Sequence, residues 1–156
     1  MNIRLAHNSK HGDHLALLAS LIERSEESIL CSGWIKPKGI QALRPAIEEA
    51  LRRKAKISII SNKFHTKGNS AKTIAKWPNV THLMATKNHR TIHSKIYYFQ
   101  TGDSYSAVIG SANITQGGLS SSDELSVHIA GHLGDDIQKE IRGYLDEVQS
   151  YLRTQL

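Results

Sequence analysis

One stretch constrains this chain more than any other. Two apolar runs lie close together, and each is bounded by residues that suit a phosphate ester. The first is His93-Ser94-Lys95-Ile96-Tyr97-Tyr98-Phe99, and the second is Ala107-Val108-Ile109-Gly110-Ser111-Ala112-Asn113-Ile114-Thr115. Short runs rich in β-branched and aromatic residues, bounded by turn residues, read as buried strands, here 93–99 and 105–109, the second closed by the Gly110-Ser111-Ala112-Asn113 turn. Residues 100–104, with Gly102, read as the turn joining them into a hairpin. The stretch closes at Asp123-Glu124.

Each polar residue of the stretch has a physical job if the substrate is a phosphate ester. His93 and Lys95 are two apart, so in extended backbone they point to one face. A neutral imidazole can attack phosphorus. An ammonium beside it can hold a non-bridging oxygen as charge builds in the transition state. Gly110 permits close backbone approach at a strand end. Ser111 and Asn113 add neutral donors for phosphate oxygens, and Glu124 is placed to hold the far nitrogen of a histidine and fix its tautomer.

These residues resemble the signature of the phospholipase D superfamily: HxK, four residues, Asp, then a GSxxN-type turn. His93, Lys95, Gly110, Ser111, Asn113 and the downstream Glu124 match it. The motif Asp would fall at position 100, where this chain has Gln100. The resemblance implies an α/β layered domain, with a mixed β-sheet flanked by helices. It also implies catalysis by His93, Lys95, Ser111, Asn113 and Glu124 through a phosphohistidine intermediate, with neither metal nor cofactor. Members with one signature resemble homodimers that bring two copies to one site. This chain holds one complete signature, so a symmetric dimer with His93 from each subunit in one cleft is expected. A second HxK, His65-Thr66-Lys67, has no GSxxN turn behind it and is read as coincidence.

Length and charge narrow the substrate. A chain of 156 residues is one domain, residues 1–156, with one sizeable core. Its net charge of +6 is unevenly spread. Residues 36–95 hold fourteen Lys and Arg against Glu48 and Glu49 alone, whereas residues 100–156 hold three basic and eight acidic residues. A positive field ending at the HxK attracts polyanions. The candidate nucleic-acid contacts are Lys36, Lys38, Lys63, Lys67, Lys72, Lys87 and Arg90. Around them lie Phe64, His65 and Trp77, and bases stack on such rings unless, as for Trp77, the core claims them. No apolar stretch approaches the ~20 residues of a membrane span, and the amino terminus lacks the apolar core of a signal peptide. The chain therefore reads as cytoplasmic. The one cysteine, Cys31, lies in an apolar run and reads as a small buried hydrophobe.

The remaining elements follow from periodicity. Residues 14–24 read as a helix capped by Asp13, 27–35 as a buried strand, 36–39 as a basic loop and 40–53 as a helix with Pro45 in its first turns. Residues 56–61 and 80–85 read as strands, with one short helix near 70–76 between them. A loop at 113–122, a half-buried strand at 124–130 and a closing helix at 135–152 complete the chain. His7, His11 and His14 cluster without carboxylates or cysteines to complete a metal shell, and read as solvated.

The expected function is a metal-independent endonuclease, on DNA first and RNA second, with a restriction or defence role as one setting. A lipid phosphodiesterase and a non-catalytic nucleic-acid-binding module are the alternatives.

Overall fold

A computed structural model describes residues 1–9, 13–66 and 68–154. His11 and Lys67 lie outside the described residues. Seven strands form one mixed sheet: β1 (Asn2–His7), β2 (Glu27–Ser32), β3 (Lys56–Asn62), β4 (Val80–Ala85), β5 (Lys95–Thr101), β6 (Ser104–Gly110) and β7 (Leu125–His132). Their spatial order is β1-β7-β6-β5-β2-β3-β4. β2, β3 and β4 run parallel, and all other pairings are antiparallel. The helices are α1 (His14–Arg24), α2 (Pro37–Arg52), α3 (Asn69–Ala75) and α4 (Asp136–Thr154). The layered α/β domain with a mixed, helix-flanked sheet is the architecture expected from the sequence.

Period-2 alternation sorts the sheet's side chains into two cores. Leu30, Ile57, Ile59, Tyr97, Phe99 and Val108 face α1 and α2. Ile29, Cys31, Ile60, Tyr98, Ala107 and Ile129 face α4, through its Ile141, Leu145 and Leu152. Full burial of each Leu, Ile, Val or Phe among them contributes about 1.5–3 kcal/mol. α4 is also fixed by charge. Arg142 donates to both carboxylate oxygens of Glu27 at 2.9 and 3.2 Å, a bidentate pair at the start of β2.

Several local readings are revised. Strand β1 is unexpected; it pairs along β7 at the sheet edge, from Asn2 opposite Ala130 to His7 opposite Leu125. The loop expected at residues 36–39 is the first turn of α2, with Pro37 at the position where a missing N–H is harmless. Pro45 consequently sits in the middle of α2, on its exposed side, and not in the first turns. The loop after the GSAN turn contains a π-helical turn, Gly117–Ser121. His14 is fully buried, not solvated. The expected strand at 27–35 ends at Ser32, and beyond it Ile35 bridges to Ile114.

Candidate active site

The topology gathers the chemistry at one end of the sheet. The parallel strands β2 and β3 end there, β5 and β7 begin there, and β6 ends there. His93 therefore enters just before β5, the GSAN turn follows β6, and Glu124 precedes β7. In mixed α/β sheets this is the end where ligands bind, outside the carboxyl ends of the parallel strands.

His93 is exposed and lies outside regular structure: the strand expected to start at His93 begins two residues later, at Lys95. The pairing with Lys95 holds: Lys95 Nζ is 3.4 Å from His93 Nδ1. An ammonium has only donors, so in this arrangement Nδ1 accepts and the imidazole proton sits on Nε2. Between them Ser94 turns the other way, towards α4, where its hydroxyl meets Tyr144 Oη at 2.9 Å. A cleft of about 600 Å³ opens beside His93, lined by Arg90, Ser94, Tyr144, Glu147 and Tyr151 among others. Behind Ser94 lies Cys31, whose thiol is pushed up to about 11 by burial. That position suits the small buried hydrophobe read from the sequence.

The GSAN turn is held at each residue. A Cβ on Gly110 would lie 2.3 Å from the Leu125 carbonyl oxygen, so only glycine lets β6 close on β7 here. Ser111 Oγ donates to the Glu124 carboxylate and also accepts from Leu125 N at 3.1 Å. The buried Tyr97 hydroxyl donates to Ala112 O at 2.6 Å. Asn113 Oδ1 accepts from Trp34 N at 3.2 Å, and Ser32 Oγ also lies 3.2 Å from it. With its carbonyl oxygen engaged, Asn113 keeps its NH2 group as the end available to a phosphate oxygen.

Glu124 is thus in contact with Ser111. β6 stands between β7 and β5, so Glu124 is two strand spacings, roughly 10 Å, from the strand that carries His93.

Behind these groups lies support that the sequence did not disclose. Asn62, buried at the end of β3, donates to Ile92 O at 2.7 Å and accepts from Ile92 N at 2.8 Å, immediately before His93. Ser32 Oγ accepts from Ile114 N at 3.0 Å and lies 2.8 Å from Trp34 O, tying the end of β2 to the GSAN turn. His14 spans Asn8 and Ser126: Nδ1 is 2.7 Å from Asn8 Oδ1, and Nε2 is 2.8 Å from Ser126 Oγ. Burial holds the His14 pKa below its ordinary value, against the opposing pull of Glu124. The only signal available beforehand was residue type: small polar residues at the ends of apolar runs.

The basic residues named from the sequence are exposed wherever described. Lys36 and Lys38 lie where α2 begins, Lys63 follows β3, and Lys87 and Arg90 follow β4, all at the same sheet end as His93. Lys72 lies inside α3 and is set back from that end. Gln100 lies at the opposite end of β5, five residues and about 17 Å from Lys95. Its side-chain oxygen accepts from Tyr98 Oη at 3.4 Å, so the position of the motif Asp is remote from His93. Among the described residues no helix is long and apolar enough to cross a membrane.

Comparison with known proteins assigns the fold. Nuc, a phospholipase D family member from Salmonella typhimurium, superposes with a TM-score of 0.74 at 16% identity, covering 97% of this chain and 94% of Nuc. NucT from Helicobacter pylori gives 0.72 at 15% identity, covering 96% and 98%. A yeast tyrosyl-DNA phosphodiesterase gives 0.56 at 13% identity, covering 86% of this chain and 34% of that one. At these identities the likeness is one of fold. No curated protein matches the sequence. The family model described as "Cardiolipin synthase, PLD-like domain" matches residues 18–148, a span that includes His93, Lys95, the GSAN turn and Glu124. With the match running over most of the chain and the sheet agreeing in architecture, this protein belongs to the phospholipase D-like family and has its phosphodiesterase fold.

Proposed function

We propose that this chain is a metal-independent nuclease, acting first on DNA, whose active site is completed by a second copy. The observation that carries the proposal is the side-by-side placement of His93 and Lys95, 3.4 Å apart, at an exposed sheet end shared with Ser111, Asn113 and Glu124. Neighbours in fold support nucleic acid as substrate. The yeast enzyme is by name a phosphodiesterase on tyrosyl-DNA, and TrmBL2, similar at a TM-score of 0.65, is an archaeal chromatin protein that binds DNA. Exposed Lys36, Lys38, Lys63, Lys87 and Arg90 around the site suit a phosphate backbone.

Hydrolysis runs in two in-line steps. A substrate phosphate draws Lys95 from His93 Nδ1 onto a non-bridging oxygen. His93 then shifts its proton to Nδ1 and Nε2 becomes the nucleophile, while Glu124 holds the Ser111 hydroxyl of the GSAN turn. An N–P bond forms, the P–O bond to the leaving strand breaks, and His93 of the second copy gives the leaving oxygen its proton. In the second step water attacks phosphorus, the second imidazole takes its proton, and the N–P bond breaks. Lys95 and Asn113 of both copies hold the phosphoryl oxygens. The lysines supply the positive charge that metal ions supply in other phosphodiesterases.

The dimer has a candidate contact. Ile3, Leu5 and Leu125 are 57%, 67% and 54% exposed. The register places Ile3 opposite Ile129 and Leu5 opposite Val127, on the sheet face that α4 covers farther along. An uncovered apolar patch beside Glu124 suits a second copy, which would also bring a second His93.

The test is incubation of supercoiled plasmid with the protein in excess EDTA, wild type beside His93→Ala. Wild type is expected to nick the plasmid and the variant to leave it intact. A second reading, a lipid phosphodiesterase, draws on the cardiolipin synthase description of the family model. It predicts turnover of cardiolipin or phosphatidylcholine vesicles and no plasmid nicking.

A further inference from the structure

Trp34 is the residue that none of the chemistry above uses. It lies two residues past the end of β2, is 43% exposed, and its backbone N–H holds Asn113. Trp77, the other tryptophan, is buried in the core. The Trp34 ring is not loose. It stacks on His65 with centroids 4.5 Å apart and planes 18° from parallel, and the Ile35 N–H, next along the chain, donates to His65 O at 3.2 Å. Lys36 Nζ lies over the indole, 5.0 Å from its centroid. The exposed ring of Phe64 adjoins His65 in sequence.

We propose that Trp34 and His65 form a nucleobase-stacking subsite at the mouth of the active site, selective for an unpaired nucleotide beside the scissile phosphate. This rests on the nuclease reading and names its substrate class. Every base offers a π-face to an aromatic ring, so such a platform tolerates any sequence. The Lys36 ammonium is a flexible, hydrated cation, and a base that takes its place over the indole leaves it free to pair with the adjoining phosphate. The anchor is rigid where it matters: the backbone of Trp34 is bonded to Asn113 and to Ser32, so a base on the indole is registered against the groups proposed to hold the phosphate. In a duplex the bases stack on one another, and the platform stays unused unless a strand opens.

The experiment uses full-length protein carrying His93→Ala, so that strands survive, and a short single-stranded oligothymidine beside an otherwise identical abasic strand. The two carry the same phosphates and differ only in bases. Tenfold or tighter binding of the base-bearing strand is expected, with quenching of indole fluorescence. Trp34→Leu is expected to abolish the difference and Trp34→Phe to retain most of it. Thermal melts of both variants exclude misfolding, since the ring is at the surface. Equal affinity for the two strands, or a preference that survives Trp34→Leu, overturns the subsite. A strand bound with base dependence yet left uncut by the wild-type protein overturns the nuclease reading and leaves the subsite standing.

Discussion

The carboxamide of Asn62 holds both backbone groups of Ile92, one bond in each direction, and Ile92 precedes His93. The same amide donates to Gly33 O at 3.1 Å, so one buried side chain joins the ends of β2 and β3 to the entry of β5. Replacing it with alanine strands the Ile92 N–H and carbonyl away from water. Each unpaired buried group costs about 1–3 kcal/mol. Asn62→Ala is expected to lose about 2–4 kcal/mol and to melt roughly 5–15 °C lower. The residual folded enzyme is expected to lose kcat more than substrate affinity, because His93 is displaced while the basic surface remains. Calorimetry with a kinetic split of kcat and KM checks this.

His82 supplies a stability dependence on pH. Its ring, bonded to Ser61 Oγ at 2.9 Å, is pushed down to about 4 by burial. The unfolded imidazole titrates near 6.5. Between these values the unfolded state binds more protons, so stability rises with pH across the window. The contribution is fully present above about pH 6.5 and is lost as pH falls towards 4, up to about 3 kcal/mol. Burial lowers His14 and His128 as well, in the same direction. Melting temperatures between pH 7.5 and 4.5 are expected to fall, and less steeply for His82→Gln.

The basic rim is expected to act through phosphates. Alanine at Lys36, Lys63, Lys87 or Arg90 should weaken binding evenly across sequences. Each should reduce the slope of log affinity against log salt by roughly 0.7–0.9. Titrations at several salt concentrations measure it. Lys72, set back inside α3, is expected to change the slope least.

The apolar edge is expected to hold the second copy. Leu5→Glu places a charge in the patch formed with Ile3 and Leu125 while touching no site residue. The variant should be monomeric by sedimentation and inactive on plasmid, yet melt within about 1 kcal/mol of wild type, since exposed positions contribute little to folding. A monomer with undiminished cleavage would refute the shared site.

What the sequence discloses here is local. α1 and β4 fall at the expected residues, and Asp13 caps α1 by accepting from Ala16 N at 2.8 Å, because caps and periodicity act over a few residues. The HxK pair is likewise a spacing of two. β1 escaped notice although Ile3 and Leu5 alternate with polar neighbours, since an exposed edge strand buries too little to stand out. The start of α2 escaped because Lys36, Pro37, Lys38 and Gly39 read as a loop, when proline is favoured at a first helical turn and Gly39 packs against Ile114 O. Asn62, Ser32 and His14 act across separations of thirty to more than a hundred residues. Only the folded sheet brings those partners together, which is why the support beneath the motif is not legible in the motif.

The central claim is that His93 bonds to phosphorus, and it can be tested directly. An end-labelled oligonucleotide is mixed with the protein in EDTA, quenched with base within one turnover, and resolved under denaturing conditions. A labelled protein band that survives alkali, disappears in mild acid and is missing from His93→Ala is the predicted result. Strand cleavage at full rate with no such band, or with the band still present in His93→Ala, would contradict it.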